Sequence, residues 1–139
     1  DACREFSRNL IEHFDVRCKT MEMPTKQLSG GNMQKLILAR TLQNEPRFIL
    51  ANQPVRGLDE GAIAAVHERL LAAKRAGAGV LLVSEDLDEL FALADKIVVI
   101  YHGNISEPLS VDEVTAQDIG IMMAGDLGHG KNLNRAGVA

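Results

Sequence analysis

Two stretches decide how this sequence folds, "TKQLSGGNMQKLILART" at residues 25–41 and "RFILANQPVRGLD" at residues 47–59. In the first, Ser29 and two glycines open an amphipathic segment. Ser is a favoured N-cap because its oxygen accepts an otherwise unpaired N–H of the first turn. Met33, Leu36, Ile37 and Leu42 form the stripe expected to face a core, down to Asn44, and Pro46 prevents continuation. The second stretch opens as an apolar strand over residues 47–51 and runs into two side-chain amides, Asn52 and Gln53, before Asp59 caps another helix. Gly30 and Gly31 at a helix start leave backbone N–H groups open to an anion, because no Cβ obstructs the approach. A flexible turn ahead of a capped helix is the plainer reading of the same pair.

Outward from there, Phe6, Leu10, Ile11 and Phe14 recur at helical spacing in residues 3–14, and "DVRCKTMEMP" reads as loop. The helix after Asp59 carries Ile63, Val66, Leu70 and Leu71 inward and closes near Gly77. "GVLLV" (79–83) is apolar on both faces, as a buried parallel strand is. "SEDLDELFALAD" predicts a helix with Leu87, Leu90, Phe91 and Ala94 inward, and "KIVVIY" (96–101) a third strand ending at the turn "HGN". Thr115, with Asp118 three residues on, caps a last helix over 116–123, and Tyr101, Met122 and Met123 are expected to pack. Strands alternating with helices predict βαβ units in an α/β fold with a mostly parallel sheet. Residues 125–139 hold four glycines and no apolar period, so a flexible tail is expected there.

The 139 residues suit one domain, and 46% apolar with 24% charged residues is a globular balance. A net charge of −4 without a basic cluster argues against a nucleic-acid partner. Cys3 and Cys18 read as two reduced thiols, and the scattered histidines give no metal-ligand spacing, so no metal site is expected.

The order "LSGGNMQK" (28–35), "ILANQP" (49–54), "GLD" (57–59) and "VLLVSED" (80–86) resembles the ATPase subunit of ABC transporters. More narrowly it is similar to the second nucleotide-binding domain of the duplicated ATPases that energise import of simple sugars and nucleosides. The resemblance implies a partial P-loop NTPase fold, with residues 1–124 as the C-terminal portion of the domain. Leu28, Ser29, Gly30, Gly31 and Asn32 become the signature facing the γ-phosphate of ATP held by an opposing domain, and Gly57, Leu58 and Asp59 the D-loop. Asn52 and Gln53 stand where the family usually has the Mg²⁺-associated Asp and the water-polarising Glu. Glu85 stands where it has the switch His.

Asn52 carries no charge for a hard dication, Gln53 cannot take a proton at neutral pH, and Glu85 opposes an anionic phosphate. No "GxxxxGK[ST]" occurs in the chain, so the Walker A portion is absent from it; the resemblance implies that this loop lies ahead of residue 1. The expected role is therefore to complete a partner's ATP site, in an importer at the cytoplasmic face of the membrane. Its implied partners are a first nucleotide-binding domain of the same polypeptide and the permease subunits. ATP and Mg²⁺ belong to the intact transporter, and the chain alone is expected neither to bind Mg-ATP tightly nor to hydrolyse it. Because the family places the Walker A strand between 79–83 and 96–101, self-association or a shifted third strand is also expected. The alternative is a non-catalytic binding or structural module that keeps the fold outside transport.

Overall fold

A computed structural model describes residues 2–128, and the chain divides into two compact units, one ending at Ser84 and the other beginning at Glu85. The first unit holds helix α1 (Ala2–His13), helix α2 (Gly30–Leu42), strand β1 (Phe48–Asn52), helix α3 (Glu60–Arg75) and strand β2 (Gly79–Val83). β1 and β2 pair in parallel from Phe48 with Gly79 to Asn52 with Val83, with α3 as the crossover between them. The expected βαβ unit therefore forms here.

Small residues set the packing of the first unit. α2 lies on α3, and its buried positions are Leu38 and Ala39, whereas Ile37 is 47% exposed. Gly31, Leu38 and Ala39 stand at i, i+7 and i+8 and share one face, opposite the Ala62, Val66 and Leu70 face of α3. A stripe drawn through the large side chains Met33, Leu36, Ile37 and Leu42 misses this phase, because a glycine and an alanine mark the contact. α1 likewise buries none of its own residues. Phe6 is 53% exposed, and burial begins only beyond the helix end, at Phe14 and Val16.

The strands also depart from the expected burial. Ile49 and Ala51 of β1 are inside, but Phe48 and Leu50 are exposed, and so are Leu81 and Val83 of β2, which share their side of the sheet. The apolar pattern fits burial on both faces, yet one face of this two-stranded sheet is uncovered among the described residues.

The second unit contains helix α4 (Leu87–Leu93), strands β3 (Lys96–Ile97), β4 (Ile100–Tyr101), β5 (Asn104–Ile105) and β6 (Leu109–Ser110), and helix α5 (Ala116–Met123). The third strand predicted over 96–101 is thus broken in two, and neither piece pairs in parallel. β3 pairs antiparallel with β6, and β4 pairs antiparallel with β5. For β4 and β5 the cause is local. His102 (φ 45) and Gly103 (φ 79) are both left-handed, which is the two-residue hairpin turn that folds a strand back on itself. Between the two ribbons, Ser106 Oγ accepts the Val99 N–H at 2.9 Å, so a side chain replaces one rung of the ladder.

Ile97, Val99, Leu109, Val114, Ile119 and Met122 form the core of this unit, and Leu87, Leu90, Phe91 and Ala94 pack against it as predicted. Glu89 is also buried, which the acidic first turn of α4 conceals in the sequence, and Met123 is 42% exposed where packing was expected. Thr115 and Asp118 complete a reciprocal capping box on α5. Of the predicted tail, Leu127 packs on the core cluster, and residues 129–139 lie outside the described residues.

Burial separates the two leucine environments. Leu109→Ala is expected to cost about 2–5 kcal/mol through lost contacts and a residual cavity. Leu50→Ala, on the uncovered sheet face, should shift stability by no more than about 0.5 kcal/mol. Urea unfolding of both variants checks the contrast, and similar losses in the two would contradict it.

Candidate functional site

The start of α2 is built from three directions. A 3₁₀ turn (Thr25–Gln27) follows Pro24, and Leu28 then extends the chain into Ser29, the N-cap, at φ −65° and ψ 160°. Ser29 Oγ accepts from Asn32 Nδ2 at 2.8 Å and, more distantly, from the Asn32 backbone N–H at 3.5 Å. Asn32 Oδ1 accepts the Arg17 backbone N–H at 2.7 Å. One turn further on, Lys35 Nζ donates to the Asp15 carboxylate at 2.7 Å and to the Asp15 carbonyl at 3.0 Å. Asp15 adopts φ 48°, a left-handed turn after α1, and buried Val16 anchors the segment between these polar ties. No sequence pattern joins residues 15 and 17 to a helix that starts at 30, so the fastening is visible only in three dimensions.

The Lys35 ammonium, hydrogen-bonded to Asp15 and attracting its charge, holds that carboxyl below the ordinary aspartate value. A depressed carboxyl pKa contributes stability above its unfolded value, and the contribution is lost as pH falls through the folded value.

The two glycines differ in kind. A Cβ on Gly31 would fall 3.1 Å from Ala62 Cβ, tighter than ordinary contact, so a side chain there would press on the seating of α2 on α3. At Gly30 the nearest atom is Leu58 Cδ2 at 3.9 Å, ordinary contact, and the residue is exposed. Packing therefore does not explain Gly30. The N–H groups of both residues belong to the first turn, which has no intrahelical acceptors.

A Cβ built on Gly30 would lie 3.9 Å from Leu58 Cδ2, which places the 28–32 segment beside the 57–59 turn. That turn is shaped by Gly57 (φ 75) and by Leu58 N–H donating to Val55 O at 3.1 Å. Asp59 uses one carboxylate oxygen to accept the Ala62 N–H at 2.9 Å, as the cap of α3. Asn52 is exposed at the end of β1, and Gln53 follows at φ 49° with its N–H bonded to Val83 O at 2.8 Å. Glu85 is exposed and belongs to the other unit; its neighbour Asp86 caps α4, accepting the Asp88 N–H at 2.9 Å. Among the described residues no three His, Cys, Asp or Glu side chains gather as a metal site. No described helix is long and apolar enough to cross a membrane.

No family model matches the chain. The nucleoside import ATP-binding protein NupA of Lactococcus lactis subsp. cremoris is 43% identical over 119 residues, 86% of this chain and 24% of its own length. The glucose import ATP-binding protein TsgD13 of Haloferax volcanii is 42% identical over 124 residues, 88% of this chain and 22% of its length. Among solved structures, the ATP-binding cassette MJ0796, a dimer in a post-hydrolysis state with ADP and Pi, matches with a TM-score of 0.65. The match covers 78% of this chain and 47% of that one at 23% identity, a likeness of fold. This chain is a portion of the nucleotide-binding domain of an ABC transporter ATP-binding protein, and the relatives it matches are named for nucleoside and glucose import. It spans about a quarter of the length of the relatives it matches.

Two outcomes follow from the geometry. Gly31→Ala should be less favourable than Gly30→Ala by about 1 kcal/mol, because a methyl there must displace Ala62 before the gain in helix propensity is realised. Gly30→Ala should leave stability unchanged or raise it by up to about 1 kcal/mol, and denaturant titration of the pair discriminates. The thermal midpoint of the wild-type chain should exceed that of Asp15→Asn at neutral pH. That difference should close as pH falls through and below the carboxylate range, and one that grows on acidification would contradict the ion pair.

Proposed function

We propose that the chain acts within the second nucleotide-binding domain of an ABC importer for simple sugars or nucleosides. In this reading it lends Leu28, Ser29, Gly30, Gly31 and Asn32 to ATP held by the partner nucleotide-binding domain. The observation that carries the reading is Gly30: exposed, with no packing need for a missing Cβ, at the start of a helix capped by Ser29. Such an end suits a phosphate, through free N–H groups and a positive helix terminus. The relatives named for nucleoside and glucose import support the transport assignment, and the ADP- and Pi-bound dimer of a cassette of the same fold supports action across a pair of domains.

The chain's own half-site is proposed to be degenerate. Mg²⁺ prefers carboxylate oxygens, and Asn52 supplies only a neutral amide at the end of β1. Gln53 can orient water by hydrogen bonding but cannot serve as a base near neutral pH. Glu85 brings negative charge where a γ-phosphate needs a donor. ATP and Mg²⁺ are then handled by the partner domain's residues, with this chain supplying neutral and helix-terminal donors. The protein works at the cytoplasmic face of the membrane against permease subunits, and without those partners the isolated chain neither retains nor hydrolyses Mg-ATP. Its exposed sheet face makes self-association the expected behaviour of the chain alone. A structural module outside transport is the competing reading; it predicts no effect of signature substitutions on any ATPase.

In the assembled importer, Ser29→Arg should abolish most ATPase activity and transport, since a bulky side chain at the helix start blocks the phosphate. Gln53→Ala should cost less than about tenfold, because an amide is not the base. Reconstituted activity of the two variants, measured together, decides. Near-normal activity for Ser29→Arg, or equally severe losses, would overturn the asymmetric assignment.

A further inference from the structure

The Asn32 amide has one orientation open to it. The Arg17 backbone N–H can only donate, so the Asn32 atom 2.7 Å away is the carboxamide oxygen, and the NH₂ group must face Ser29 Oγ at 2.8 Å. Ser29 Oγ therefore accepts from Asn32 and does not use its own O–H proton in that bond. A serine hydroxyl left free to rotate could present either a lone pair or its proton; this one is biased toward donation.

We propose that Asn32 is a positioning residue that fixes Ser29 as a hydrogen-bond donor toward an anion at the start of α2. Segment 15–17 is the anchor for that orientation. The inference rests on the reading that this helix start faces a phosphate. It assigns Asn32 a role through Ser29, since its oxygen and one N–H are engaged inside the protein.

Asn32→Asp tests it, because the isosteric carboxylate still accepts from Arg17 but turns its second oxygen on Ser29. The serine proton must then point at the carboxylate and is withdrawn from the anion. In the assembled importer this variant should lose at least about tenfold in ATPase turnover, in line with the loss of one oriented donor. Asn32→Ala, which merely frees the hydroxyl, should lose less.

The same Asn32→Asp change in a Ser29→Ala background should add less than about threefold, because coupled residues are non-additive. Lowering the pH should partly restore the Asn32→Asp variant relative to wild type, since a protonated carboxyl donates to Ser29 as the amide does. Equal losses from Asn32→Asp with and without the serine hydroxyl would overturn the proposal. Thermal midpoints of the same variants separate misfolding from this effect, because a folding defect would persist in the Ser29→Ala background. If Ser29→Arg leaves ATPase activity intact, the phosphate-facing reading itself fails. If Ser29→Arg is severe while the Asn32 effects are additive, only the positioning role fails.

Discussion

The near-contact of Gly31 with Ala62 is the constraint on which the first unit depends. With no Cβ on one side and a methyl on the other, the first turns of α2 and α3 meet at a separation that a larger pair would strain. From that point the helical repeat puts Leu38 and Ala39, the buried residues of α2, on the same face as Gly31, and the same closeness sets Gly30 beside Leu58. The signature segment and the turn after β1 are neighbours because two small residues were kept small. Packing at one glycine thereby places the other, which has no packing role of its own.

Polar ties on the open side complete the arrangement. Asp15, Arg17, Asn32 and Lys35 are not a core, and exposed pairs of this kind contribute little to global stability. Their effect is on direction: they hold the chain leaving α1 along α2 and orient the Asn32 side chain. Buried Val16 supplies the apolar grip that lets such weak bonds persist. Position at the helix start thus comes from a small-residue contact on one side and a hydrogen-bonded strap on the other.

Much of this is legible in the sequence where the cause is local. Ser29, Asp59 and Thr115 cap helices as their side chains dictate, and the βαβ order of 48–83 follows from alternating apolar runs. The order of the motifs is enough to point to the cassette. What escapes depends on contacts between distant residues. Large apolar side chains alone place Ile37 inside, whereas the face is chosen by Gly31 and Ala39. "KIVVIY" looks like one strand, yet it breaks at Val98 and Val99, and its first piece pairs with Leu109–Ser110 rather than with the parallel sheet. The apolar run of β2 records a sheet covered on both sides, and nothing in "GVLLV" says whether the covering element lies within the described residues. At the site, the residue types of the signature are readable, but the division of labour between Gly30 and Gly31 is not.

The uncovered face of the β1–β2 pair has a calorimetric consequence. The heat capacity of unfolding scales with apolar surface newly exposed to water, about 12–15 cal/mol/K per residue for well-covered domains. Phe48, Leu50, Leu81 and Val83 are already about half exposed in the folded chain, so melting hydrates only the remainder of each. The first unit therefore has a shallower stability curve than its length implies, with weaker dependence on both temperature and denaturant. Covering that face would deepen the curve without altering a single buried contact, so any protein that seats there gains its grip from water already ordered on those four side chains.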